Sequence, residues 1–157
     1  MERWQDLADA VIDEDRRLRR LLTACPVAGR EQPGPDGALS FKETLAHITF
    51  WDEAALVHLQ GRADPARRTL AAPADLDAQG REAVARARQR PFGEVLAGYL
   101  EITGALVAFI AREWERLGPR EREGLAIPLQ HRRYHRQELE RMLPDHGGRA
   151  VTADGAD

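Results

Sequence analysis

The stretch from Ser40 to Gln60 constrains this chain most. "SFKE" sets Ser40 three residues before Glu43 and just ahead of an apolar run. That is a capping box, in which each side chain satisfies the other residue's free backbone N–H at a helix start. The helix it opens carries Phe41, Leu45, Ile48, Phe50, Trp51, Ala54, Ala55, Leu56, Val57 and Leu59. Those residues cover more than half its circumference, so the helix must be packed on most sides. Gly61 is a natural C-terminal cap.

Three further segments carry the same periodicity, and none shows sustained strand alternation. The first spans about 2–24, with Leu7, Val11, Leu18, Leu21 and Leu22 as its stripe and Pro26 as its stop. The third opens at Pro91, a favoured first-turn residue, and ends near Gly118 and Pro119. The fourth runs from about Pro128 to Pro144. A weaker helical segment, Leu76 to Arg90, is interrupted by Gly80 and follows a linker over 62–73. The expected architecture is all-α: a four-helix bundle over 1–144, with a short extra helical segment in the crossover between helices two and three. Residues 145–157 have no apolar content to anchor them and are expected to form a flexible tail.

Composition excludes several function classes. A formal charge of −3 on 157 residues, with no isolated basic block, makes no electrostatic case for nucleic acid. Lys42 is the only lysine among 23 basic residues, which reads as coding bias more than phosphate recognition. The single cysteine, Cys25, excludes an internal disulfide and suits a reducing compartment. No unbroken apolar run approaches the ~20 residues of a membrane span, and "MERWQDLADA" lacks a signal peptide's apolar core. A cytoplasmic protein without a membrane partner is the expectation.

Histidines interrupt this apolar pattern. His47 lies in "AHITFW", the most apolar part of the chain. His131 and His135 are four residues apart in "QHRRYHRQELERM", so on a helix their rings leave one face roughly 6 Å apart along the axis. Periodicity from Ile127 puts 131, 134, 135, 138 and 142 on the buried stripe and Arg132, Arg133, Arg136, Gln137, Glu140 and Arg141 on a solvated face. Buried polar groups without partners cost roughly 1–3 kcal/mol each, so the two imidazoles and Glu138 need partners. His47 is the candidate third member. Three converging neutral imidazoles make a tripod for a divalent ion, with zinc at ~2.0–2.1 Å and a position left open for water or substrate. The alternative is three ordinary core histidines, each bonded to protein. His58 lies about 16 Å along the axis from His47 and is expected to meet solvent; His146 falls in the tail. Glu138 is a candidate acceptor orienting a histidine or, equally, a partner for an arginine. Trp51 is a candidate pocket wall or core aromatic, and Tyr134 a candidate proton donor or packed core residue.

"LSFKETLAHITFWDEAALVHLQG" resembles the second helix of the DinB-like superfamily, which includes the maleylpyruvate isomerase N-terminal domain and bacterial thiol-dependent transferases. The shared elements are Ser40, Leu45-Ala46-His47 and Trp51; "HRRYHRQEL" is similar to that superfamily's last helix. The resemblance covers roughly residues 3–143. It implies a four-helix bundle, often a homodimer, with zinc, nickel or another divalent metal on His47, His131 and His135. It also implies mycothiol or bacillithiol as a cosubstrate, and hydrolase or thiol-transferase chemistry on a small electrophile in detoxification or stress response. Relatives often have an asparagine ahead of the third helix, where this chain has Asp77 and Gln79. A non-catalytic binding module and a structural helical dimer are the competing functions.

Overall fold

In the computed structural model, residues 3–63 and 73–143 are described. Of the linker expected over 62–73, residues 64–72 fall outside them, and so does the tail expected over 145–157 with His146; 62 and 63 belong to a helix, as does 73. The described residues are all-helical, without strands. Helix α1 spans Trp4–Ala24, α2 Phe41–Ala63, α3 Pro73–Arg88, α4 Phe92–Glu113, α5 Pro119–Gly124 and α6 Ala126–Met142. The four long helices α1, α4, α2 and α6 close a ring in which each packs on the next, and α3 lies along α2.

The capping box forms. The Ser40 hydroxyl accepts from the Glu43 amide at 3.2 Å, and the Glu43 carboxylate accepts from the Ser40 amide at 2.8 Å. Glu43 also bonds Arg88, and Lys42 Nζ donates to the carbonyls of Arg88 and Arg90, so the start of α2 is fastened to the end of α3.

Four boundaries differ from the sequence expectation. Helix α2 runs through Gly61 to Ala63 instead of capping there. Gly80 does not interrupt α3 but sits buried inside it, where a Cβ would come within 3.2 Å of the Phe50 ring; glycine allows the two helices to approach. A loop expected before the last helix holds α5. Pro91 caps α4 from outside, its carbonyl accepting from Glu94 and Val95.

Helix α4 corrects the expectation that no apolar segment approaches the length of a membrane span. With its 3₁₀ extension it is long and apolar enough, by length and composition, to cross a bilayer (92–116, mean hydropathy 1.6). Counting unbroken runs missed it, because Glu94, Glu101 and Arg112 divide the segment. Its Val95, Tyr99, Thr103, Leu106, Phe109 and Ile110 are buried, and it packs on α1 and α2.

The core has two apolar parts. One gathers Leu7, Val11, Leu56, Leu106, Phe109 and Leu129; the other gathers Leu18, Phe41, Leu45, Ile48, Tyr99 and Leu139. Fully burying side chains of this kind stabilises by about 1.5–3 kcal/mol each. Between the two parts, along all four long helices, runs a buried polar belt: Glu14 and Asp15 on α1, Asp52 on α2, Thr103 on α4, Arg132 and His135 on α6.

Candidate metal centre

Two distinct constructions lie at this belt, one joining α2, α4 and α6 and the other α2 and α6. The first centres on Arg132, which periodicity assigned to the solvated face. It is 0% exposed, as is Asp52. Arg132 Nε donates to Asp52 Oδ2 at 2.7 Å, and Nη2 lies 2.6 Å from the same oxygen in the ion pair. It also donates to the Tyr99 hydroxyl at 3.0 Å and to Thr103 Oγ1 at 2.9 Å. Its guanidinium lies over the Tyr99 ring, 5.0 Å from the centroid. Burial pushes the Asp52 carboxyl up to about 6, against the pull of Arg132, and raises the Tyr99 hydroxyl as well.

The reason for the misplacement is rotational. The buried positions of α6 are Pro128, Leu129, Arg132, His135 and Leu139. Ile127 and Tyr134, taken as stripe residues, are 65% and 55% exposed. The inward face is therefore turned by a fraction of a helical turn from the one counted from Ile127. Arg136 also leaves the solvated face, pairing with the buried Glu14 of α1.

The second construction is the histidine cluster. His47 comes from α2, His131 and His135 from successive turns of α6. His131 Nε2 lies 3.2 Å from His47 Nε2 and 3.0 Å from His135 Nε2. Ligand atoms of all three lie within 4.8 Å of one another. The ring centroids are 4.5–5.1 Å apart. His135 is buried and the other two are half-buried.

Proton bookkeeping distinguishes this cluster from three satisfied core histidines. His135 Nδ1 donates to Glu138 Oε2 at 2.7 Å, which assigns the proton to Nδ1 and leaves Nε2 a lone pair. His131 Nε2 faces two imidazole nitrogens, yet a neutral ring has only one proton or one lone pair there. His131 Nδ1 is buried with no protein partner. Hydrogen bonds alone therefore leave the cluster short. The spacing fits a shared cation: two nitrogens about 2.0–2.1 Å from one ion, at angles of about 90–110°, lie roughly 2.9–3.4 Å apart.

The electrostatics favour neutral rings, the form that ligates a metal. Burial lowers His47 to about 4, with His135 adding to the shift and Glu138 opposing it. Burial also lowers His131 to about 4, assisted by His135, His47 and Arg132. His135 is lowered by burial while Glu138 pulls it upward.

Of the remaining candidates, Glu138 sits as the acceptor for His135. Trp51 is half-buried, its ring 6.2 Å from His47 and 6.4 Å from His131. It borders a cavity on each side, one of about 490 Å³ reaching His131 and one of about 510 Å³ reaching His47. The outward position of Tyr134 corrects its reading as a packed core residue, although its ring is 5.1 Å from that of His135. His58 is exposed, as expected, and lines the first cavity. Cys25 is buried, and burial raises its thiol. The sequence reading missed Asp52 and Arg132. Asp52 carried the same signal as His47, a polar residue inside an apolar helix; Arg132 was masked by its neighbour Arg133.

The chain matches no family model, no curated protein and no solved structure.

Proposed function

We propose that this chain is a metal-dependent enzyme with a DinB-like four-helix bundle, its divalent ion held by His47, His131 and His135. One observation carries the reading: His131 Nε2 lies at ligand spacing from the Nε2 atoms of both His47 and His135, with ligand atoms of all three within 4.8 Å and without enough protons to bond among themselves. A divalent ion bound there supplies Lewis acidity, lowering the pKa of a water or low-molecular-weight thiol toward neutrality for attack on a small electrophile.

The chain's own residues have definable parts in this. Burial keeps the imidazoles unprotonated. Glu138 fixes the tautomer and orientation of His135, the usual task of a carboxylate behind a metal-binding histidine. Trp51 forms a wall beside both His47 and His131. Zinc or nickel suits an all-imidazole set better than calcium or magnesium, which take oxygen ligands. Mycothiol or bacillithiol as cosubstrate, a cytoplasmic homodimer and a detoxification or stress role belong to the same proposal and rest on the resemblance.

The test is metal analysis of protein purified without an affinity column. We expect about one zinc or nickel per chain, by the ligand count of such sites, and background metal in His47→Ala. Equal metal in the two proteins would rule the tripod out. Turnover of a model electrophile with and without added thiol then separates an enzyme from a binding module.

A further inference from the structure

The histidine cluster borders two cavities of different chemistry. His131 belongs to the wall of the first and His47 to the wall of the second; Trp51 belongs to both. The second carries charged side chains, Asp77, Arg81 and Arg88, beside the apolar Leu39, Val84 and Ala85. The first is walled by Ala54, Ala55, Leu59, Leu76, Ile127 and Pro128. Its space exists because α2 presents two successive alanines where larger residues would fill it.

Charge decides what the first cavity can hold. Asp52 borders it, but its charge is offset by Arg132 in the buried pair. Arg120 and Glu121 carry opposite signs on the α5 side. An ion entering would lose hydration without a matching countercharge. An apolar molecule would instead cover Ile127, a large side chain 65% exposed at this wall. The volume of about 490 Å³ lies within the range of small-molecule sites.

We propose that the first cavity binds a neutral, apolar small molecule and presents it to the His131 side of the cluster. What then happens at the histidines rests on the function proposed above; the binding itself requires no metal.

The experiment is a fluorescence titration of the full chain, stripped with EDTA, using the neutral probe N-phenyl-1-naphthylamine. Saturable binding is expected. Ala55→Trp, which fills the cavity, should weaken it about tenfold or more. Ile127→Glu, at an exposed position that leaves the fold intact, should weaken it several-fold. Ala85→Trp, in the wall of the second cavity, should change it less than about twofold. Absence of saturable binding overturns the proposal. So does loss of binding in Ala85→Trp but not in Ala55→Trp or Ile127→Glu, or tighter binding of an anionic naphthalene sulfonate probe. Saturable probe binding together with only background metal in the protein as purified would sink the metal reading alone; metal in the protein as purified without probe binding would sink this proposal alone.

Discussion

Two polar groupings lie side by side on α2 and α6, the first also reaching α4, and they differ in the groups they bring together. Around Arg132, opposite charges meet: one guanidinium serves Asp52, Tyr99 and Thr103, while Asp52 Oδ1 is buried with no protein partner. Around His131, three ring nitrogens meet with too few protons, and Nδ1 has no protein partner. Arg132 and Asp52 are fully buried, whereas His47 and His131 are half-buried. The charges of the converging groups differ as well. A buried pair of opposite charges ties helices together, and losing either partner is costly, whereas three converging imidazole nitrogens short of protons offer lone pairs that a cation can engage. Arg132 is accordingly read as structural and the histidines as a binding site.

The sharpest way to break this comparison is to remove one partner from each grouping. Arg132→Met leaves Asp52 buried and uncompensated, and should lower unfolding free energy by about 3–5 kcal/mol in a urea titration. Replacing the pair together, with Asp52→Leu added, should recover most of that loss. A histidine should behave oppositely. Zinc at a hundred times its Kd should stabilise the wild type by about 2.7 kcal/mol, and His47→Ala or His131→Ala by nothing beyond the blank. If His47→Ala instead destabilises the metal-free protein as strongly as Arg132→Met, the distinction fails.

Glu138→Gln sharpens the comparison further. Weakening the acceptor behind His135 should cost about 10–100-fold in metal affinity, measured by competition with a chelator. The folded protein should melt within a few degrees of wild type.

The smallest effect is on pH dependence. In the metal-free protein, His47 and His131 titrate near 4 when folded, below their ordinary value of 6.5. The unfolded chain therefore binds more protons between those values. The stability tied to neutral imidazoles is complete above about 6.5 and is lost as pH falls toward 4. Asp52 works against this, since its raised folded value favours the folded state as pH falls from about 6 toward 3.8. A thermal melt series from pH 7 to 4 should show a net fall in Tm, flattened in His131→Ala. A series without that difference would place the imidazoles in contact with solvent.

Much of this was legible along the chain because it is local. Ser40 and Glu43 are three residues apart, and their bonds form within one turn. His131 and His135 share a face of α6 by spacing alone. The stop at Pro26 and the apolar breadth of α2 follow from backbone chemistry and periodicity. Other features needed a neighbour to decide them. Arg132 stands beside Arg133 in an arginine-rich turn, and only the position of Asp52, Tyr99 and Thr103 draws it inside. Ile127 and Tyr134 have core-like side chains, yet α6 is turned so that they face outward.

The sequence by itself determined that the chain is helical, where α2 begins, and which residue types were available to ligate. Those are properties of hydrogen bonds and spacings within a few residues. Tertiary structure alone decided that His47, 84 residues from His131, meets it at 3.2 Å, that Arg132 is buried, and that Trp51 stands between two cavities. Each of these depends on the rotation of one helix against another. That rotation is set by the sum of side-chain contacts along both, so no single segment encodes it.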